Sequence, residues 1–166
     1  MDTNQIHKKI MLEATADRVW RALSDSGEFG TWFGMKVDGP FVAGEKARAV
    51  IFPTQVDAEV AAAQKPYEGK SFELLIERIE PLRVFSFRWH PYAVEPDHDY
   101  SNEPTTLVEF AMEEVPGGVM LTVTESGFEG IPIERRAKAF TANDQGWSMQ
   151  VNLIRKYVEG GRGGTS

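Results

Sequence analysis

The chain contains no cysteine among its 166 residues. This absence excludes disulfide bonds, thiolate metal sites, cysteine-ligated iron–sulfur clusters and a cysteine nucleophile. The sequence also has no apolar run near the roughly 20 residues that a membrane-spanning helix requires. Its first 14 residues lack the long apolar segment of a secretory signal peptide. Together these absences predict a cytoplasmic protein that has no membrane partner.

Positive charge is scarce relative to negative charge. Lys and Arg together number 18 against 25 Asp and Glu, which gives a formal net charge of −7. Nucleic-acid phosphates are bound by clustered Lys and Arg side chains. Here the basic pairs Lys8–Lys9 and Arg135–Arg136 are diluted by nearby acidic residues. We therefore expect no nucleic-acid partner.

The motifs of common catalytic and metal sites are missing as well. The chain has no G-x-S-x-G elbow, no P-loop and no H-E-x-x-H. His7 and His90 lie apart, and Asp97, His98 and Asp99 are adjacent in one loop, where neighbouring side chains point in different directions. We predict no metal, no cofactor and no catalytic residue.

The order of elements along the chain predicts an α+β fold. The length fits one domain, which we place at residues 1–159, followed by a Gly-rich tail at 160–166 that is expected to be disordered. A long loop is expected at 91–104. Apolar periodicity and turn residues predict strands at 6–14, 46–52, 70–80, 85–89, 105–114 and 119–126, and short helices at 15–23 and 28–33.

The last element differs because its apolar residues follow helical spacing. One helix is predicted from Pro132 to Glu159, with Gly146 as a point of bending or close approach and Asp144 as an interruption of its apolar stripe. Its apolar stripe consists of Ile133, Ala137, Phe140, Trp147, Val151, Ile154 and Val158. Such a helix has to pack across the concave face of an antiparallel sheet of six to seven strands.

Four segments carry a resemblance to a known superfamily: ATADRVWRALSD, EFGTWF, LTVTESGF and GWSMQVNLIRKYVE. They resemble START-like (SRPBCC) proteins and, more closely, bacterial homologues of the C-terminal domain of the heat-shock protein 90 ATPase activator. The resemblance covers residues 5–159. It implies the helix-grip fold, a curved antiparallel sheet closed over the long C-terminal helix around an apolar cavity. It does not imply a single activity, because members include ligand carriers, cyclases and chaperone partners.

Relatives of this type have also been labelled as the reductase component of an aromatic demethylase. Such a reductase needs four cluster-ligating cysteines together with flavin- and nucleotide-binding motifs. This chain has no cysteine and no G-x-G-x-x-G, so the label is excluded.

Aromatic residues are the main candidates for a binding site. In the strand at 85–89 the alternation places Phe85, Phe87 and Trp89 on one face, towards the long helix. These rings either line a cavity or simply fill the core. The residues that we predict to bind a ligand are Trp32, Phe33, Phe85, Phe87, Trp89, Glu125, Phe140, Asp144, Trp147 and Val151.

Two carboxylates are the polar members of this set. Alternation places Glu125 on the same inward face as Leu121 and Val123, and Asp144 interrupts the helical stripe. Near an apolar cavity they would anchor a ligand or act as acid and base with raised pKa values. The alternative is that Glu125 lies near solvent at the end of its strand and that Asp144 lies at the cavity mouth or pairs with an arginine.

Three functions remain open from the sequence. The leading one is non-catalytic binding of a small hydrophobic or aromatic molecule between sheet and helix. The second is a chaperone-partner module that regulates the ATPase of a heat-shock protein 90 homologue. The third is a cyclase- or hydrolase-type enzyme that uses an inward polar group such as Glu125.

Overall fold

A computed structural model describes the backbone of residues 5–91 and 99–164 and the side chains of this range up to residue 160. Asp97 and His98, which the sequence suggested as metal candidates, lie outside the described residues.

Seven strands form one curved antiparallel sheet. From one edge to the other the order is β1-β7-β6-β5-β4-β3-β2, and all neighbouring pairs run antiparallel. The predicted sheet is confirmed, and the strand that the sequence missed is β2, whose three residues are too few to show alternation. The strands are β1 (Gln5–Leu12), β2 (Met35–Val37), β3 (Lys46–Ile51), β4 (Ser71–Glu80), β5 (Val84–Trp89), β6 (Thr106–Val115) and β7 (Gly118–Ser126).

Three short helices lie in the connections. α1 (Ala16–Ser24) and α2 (Ser26–Phe33) join β1 to β2, and α3 (Ala58–Gln64) lies between β3 and β4. Side-chain caps explain where the first two begin: Thr15 Oγ1 accepts from the Arg18 amide at 3.2 Å, and Asp25 Oδ1 accepts from the Glu28 amide at 3.0 Å. α2 ends at Gly34, whose φ of 107° favours glycine.

The long helix α4 (Ile133–Gly164) follows Pro132 and packs against β1 and α2. It continues past Glu159, the end that the sequence predicted, and the limits of the domain and the disordered tail stay predictions. The second half of the predicted stripe is buried, as Trp147, Ile154 and Val158 show.

Phe140 of that stripe packs against the core, but the first two residues of the stripe do not face it. Ile133 is 72% exposed, and Ala137 is exposed too, whereas Ala139 is fully buried. The inward face there runs through Asn143, which is half-buried. A polar residue at an inward position hides the true face from a search for apolar spacing.

The core lies between the concave face of the sheet and the two helices α2 and α4. Phe29 of α2 is at its centre, with ring centroids 5.9 Å from Phe85, 6.2 Å from Phe87 and 5.8 Å from Phe110. All four rings are at most 1% exposed. Edge-to-face contacts of this kind stabilise a core beyond the apolar area that they bury.

None of the helices within the described ranges is both long enough and apolar enough to span a bilayer.

Candidate ligand-binding site

Glu125 is the most deeply buried charged residue of the described chain. It lies on β7 with Leu121 and Val123, and all three are at most 1% exposed. The alternation therefore predicted its inward direction correctly, and the alternative that placed it near solvent is wrong. Burial of a carboxylate is costly unless hydrogen bonds replace its water.

Four side chains supply those hydrogen bonds. Oε2 accepts from Trp89 Nε1 at 2.8 Å and from Thr106 Oγ1 at 2.6 Å. Oε1 accepts from Trp147 Nε1 at 2.8 Å, and Asn143 Nδ2 lies 3.0 and 3.1 Å from the two oxygens. No lysine or arginine of the described ranges forms an ion pair with this carboxylate. Charge-assisted hydrogen bonds alone hold it in place.

The fold explains why these donors converge. Trp89 of β5 pairs with Thr106 of β6, and Val108 of β6 pairs with Glu125 of β7. Three adjacent strands thus bring their inward side chains together. α4 supplies the other two donors, Asn143 and Trp147, which are four residues apart and therefore lie on one face of the helix.

A small cavity of about 170 Å³, which we call the inner cavity, lies beside this cluster. Three aromatic rings form much of its wall: the centroid of Phe33 lies 6.1 Å from Trp89 and 5.8 Å from Trp147, and the two indoles are 6.0 Å apart. The remaining wall belongs to α4. The complete lining of the inner cavity is Phe33, Trp89, Asn143, Gly146, Trp147 and Gln150.

A larger cavity of about 530 Å³, the outer cavity, shares Phe33, Trp89 and Asn143 with the inner one. It lies beside the end of β5. The first residue pair between β4 and β5 is Leu75–Arg88, so residues 71–74 at the start of β4 pair with β3 but with no other strand of the described chain. The two cavities are adjacent, because they share three wall residues. Further lining of the outer cavity comes from Arg48, Ile51, Tyr67, Phe72, Glu73 and His90.

His90 is a polar wall residue of the outer cavity. Its Nδ1 is buried and has no hydrogen-bond partner among the described residues. Burial lowers the pKa of His90 below its ordinary value of 6.5, while the nearby charge of Glu103 opposes that shift. The neutral imidazole is therefore favoured at neutral pH.

An arginine of α4 ties one wall of the outer cavity to the helix. Arg135 Nε donates to Glu103 Oε1 at 2.9 Å, and Nη1 donates to the carbonyl of Pro91 at 3.0 Å. Its guanidinium also lies over the ring of Tyr100, another wall residue, at 4.7 Å. The segment at 99–103 is thereby held against the start of α4.

Of the ten residues predicted to bind a ligand, three line the cavities: Phe33, Trp89 and Trp147. Glu125 lines neither of the two cavities. It accepts hydrogen bonds from the wall residues Trp89, Asn143 and Trp147 and so fixes their positions. Val151 is half-buried and packs against the core.

The structure places the other five away from the cavities. Trp32, Phe85 and Phe87 are buried in the filled core. Phe140 packs against Phe128 at 5.2 Å. Asp144 forms an ion pair with Lys8 at 2.9 Å, and its side chain is 43% exposed, so it does not share a site with Glu125. Binding of a ligand by any of the ten stays a prediction.

Sequence reasoning missed the α4 wall residues Asn143, Gly146 and Gln150 and, apart from Phe33 and Trp89, the lining of the outer cavity, including His90. A signal existed for two of them, because positions 143, 147 and 150 follow the spacing i, i+4, i+7 around Trp147. The polar character of Asn143 and Gln150 concealed this spacing. His90 was considered only as a metal ligand. The described residues contain no group of three or more His, Asp or Glu side chains that would hold a metal ion.

The sheet closed over a long helix around a cavity is the helix-grip architecture of START-like (SRPBCC) proteins. Within this class the chain belongs to the family described as Activator of Hsp90 ATPase homolog 1-like protein, which matches residues 13–159.

Solved structures with the same fold are remote in sequence. DynU16, a putative protein in the dynemicin biosynthetic locus, is 22% identical with a TM-score of 0.66, and the match covers 95% of this chain and 48% of DynU16. This chain thus spans about half the length of DynU16. MLL2253 from Mesorhizobium loti is 21% identical with a TM-score of 0.66, covering 93% of this chain and 96% of MLL2253.

The structure described as the Aha1 dimer from Colwellia psychrerythraea is 14% identical, with a TM-score of 0.63 and coverage of 93% and 96%. At these identities the likeness shows the fold alone. No curated protein matches this chain.

Proposed function

We propose that this protein binds a small apolar or aromatic molecule in the outer and inner cavities and that it does so without catalysis. The observation that carries the proposal is the outer cavity of about 530 Å³ with Phe33, Phe72 and Trp89 in its walls. Sites for small molecules span about 300–1,000 Å³ and combine apolar walls with a few polar groups. The polar groups here include Arg48, Glu73 and His90.

The geometry of Glu125 favours binding over acid–base chemistry. A general acid or base has to reach the proton that it transfers, directly or through one water. Both oxygens of Glu125 are engaged by four donors, and the residue lines neither cavity. The cyclase or hydrolase hypothesis therefore loses Glu125, the inward polar group that the sequence singled out for it.

Gly146 allows a direct test by filling the inner cavity. It lies in the cavity wall, and a Cβ added there would meet no other atom within 4 Å. Gly146→Leu should therefore extend its side chain into the cavity, starting from a Cβ that meets no neighbour. It should also favour the helix, because glycine in a helix interior is about 1 kcal/mol less favourable than alanine.

The expected result is a protein that is at least as stable to heat but binds an uncharged apolar fluorescent dye, N-phenyl-1-naphthylamine, much more weakly. Gly160→Leu is the matched control, since Gly160 lies on the same helix, is exposed and lines neither cavity. Dye binding that is unaffected by Gly146→Leu, or absent from the wild type, would contradict the proposal.

The family description supports a second candidate function, regulation of an Hsp90 homologue's ATPase. The protein would then act through its surface. ATP turnover of a purified Hsp90 homologue should rise on its addition, and the rise should survive Gly146→Leu. Absence of both stimulation and co-purification would leave ligand binding as the sole candidate.

A further inference from the structure

The side-chain amide of Asn143 has a defined orientation in the wall of both cavities. Its Nδ2 lies 3.0 and 3.1 Å from the two oxygens of Glu125. A carboxylate accepts hydrogen bonds and cannot donate them, so the NH₂ end of the amide has to face Glu125. The carbonyl oxygen Oδ1 therefore points away from Glu125, and no described residue donates a hydrogen bond to it.

A second amide in the inner cavity is oriented in the same way. Gln150 Nε2 donates to the backbone carbonyl of Phe33 at 3.0 Å. This carbonyl can only accept, which again determines which end of the amide faces it. Gln150 Oε1 is buried and has no hydrogen-bond partner among the described residues. Leaving a buried acceptor unpaired is unfavourable, and a bound donor would relieve that cost.

The aromatic walls contribute no free donor either. The indole N–H groups of Trp89 and Trp147 both donate to Glu125. Each side-chain nitrogen in the lining of the inner cavity thus donates at least one hydrogen bond, whereas the two amide oxygens accept none from the described residues. The carboxylate of Glu125 behind this wall adds negative charge, which disfavours an anionic ligand.

We propose that the inner cavity selects molecules with a hydrogen-bond donor, an O–H or N–H group, on an aromatic or apolar body. The donor is received by Gln150 Oε1 or by Asn143 Oδ1. Glu125 is a positioning residue, since it orients Asn143 and engages both indoles without contacting the ligand. This inference rests on the proposed function and specifies the ligand class of the same site.

A matched series of naphthalenes tests the inference by calorimetry on the full chain. 2-Naphthol carries a donor, 2-methoxynaphthalene carries none, 2-naphthoate is anionic and 2-naphthylmethylammonium carries a charged donor. We expect 2-naphthol to bind about tenfold more tightly than 2-methoxynaphthalene, which corresponds to about 1.4 kcal/mol. 2-Naphthoate should bind more weakly than both, and the ammonium compound shows whether a charged donor is preferred to a hydroxyl.

Two variants connect the preference to the named oxygens. Gln150→Met removes one acceptor and should reduce the preference for 2-naphthol while 2-methoxynaphthalene still binds. Gln145→Met is the matched control, because Gln145 is on the same helix, is exposed and lines neither cavity. Glu125→Gln frees the amide of Asn143 to turn, so it should weaken the preference in a protein whose circular dichroism shows it folded.

The outcomes separate this inference from the function on which it rests. If 2-methoxynaphthalene binds as tightly as 2-naphthol, the selection of donors is wrong and the binding function stands. A preference that persists in both Gln150→Met and Asn143→Leu would also overturn the inference. If no compound of the series binds, the proposed function itself fails.

Discussion

Phe87 and Trp89 lie two residues apart on β5, on the same face, with ring centroids 5.3 Å apart. Phe87 is fully buried and is surrounded by the rings of Phe29, Phe85 and Phe110. Trp89 is half-buried and lines both cavities. The residue types and the strand are alike, so the difference must come from what packs opposite each ring.

Opposite Phe87 lies α2, whose Phe29 fills the space with a large ring. Trp89 faces the rings of Phe33 and Trp147 at 6.1 and 6.0 Å. The space beside these rings stays open because the neighbouring residues of α4 are Asn143, Gly146 and Gln150, none of which fills a comparable volume. The filled region is held by ring contacts, and the open region by hydrogen bonds to Glu125. Whether an aromatic residue forms core or cavity wall is therefore decided by the opposing helix.

The largest expected effect comes from truncating the two rings separately. Phe87→Ala should lower the free energy of unfolding by about 3–5 kcal/mol, because it leaves a cavity in a filled core. Trp89→Ala loses fewer ring contacts, because its ring already borders open space, and it leaves Glu125 with three of its four donors. Its loss of stability should therefore be smaller than that of Phe87→Ala, whereas dye binding should weaken strongly. Chemical denaturation and dye titration of both variants measure this. Equal losses of stability would remove the distinction between the two regions.

A smaller effect is expected from Glu125→Gln, which tests how the open region is held. The amide nitrogen of Gln cannot accept, so at least one buried donor of Trp89, Thr106 or Trp147 loses its partner. The free energy of unfolding should fall by about 1–3 kcal/mol. Denaturation followed by tryptophan fluorescence measures the loss.

Glu113→Gln makes the same chemical change at an exposed position of β6 and serves as the control. An unchanged denaturation midpoint for Glu125→Gln would show that the buried hydrogen bonds do not stabilise the open region.

The smallest expected effect concerns His90 and pH. Because burial lowers the pKa of His90, the unfolded chain takes up a proton at higher pH than the folded protein does. Stability should therefore decline as pH falls below about 6.5, the usual histidine pKa, and be retained above it. His90→Gln should flatten this part of the stability profile, measured by denaturation from pH 7.5 to 5.5.

His7→Gln, which removes an exposed histidine from β1, is the control. An identical dependence of stability on pH in His90→Gln and the wild type would contradict the prediction.

Much of the fold was predictable because local patterns repeat over many residues. The hairpin of β6 and β7 and the inward direction of Glu125 follow from alternation that extends over nine or more positions. The resemblance correctly indicated the family and the closed sheet. β2 was missed because three residues contain too little pattern.

The candidate site was predictable only in part. Phe33, Trp89 and Trp147 were predicted and do line cavities, whereas Asp144 was preferred over its neighbour Asn143. A carboxylate within an apolar stripe is typical of a residue that anchors a ligand. In the structure, however, the orientation of α4 places Asp144 at the surface, where it forms an ion pair with Lys8. A shift of one residue along a helix rotates the side chain by about 100°, so apolar spacing that is imperfect leaves the inward residue undetermined.

The sequence by itself determined the class of fold, the inward faces of β5 and β7, and the absence of cysteine chemistry. Only the tertiary structure decided that four donors from three elements meet at Glu125 and that space remains between Trp89 and α4. The reason is physical: alternation and helical spacing are properties of one segment. A hydrogen bond between distant residues, or a cavity, depends on the volumes and orientations of side chains from several segments at once.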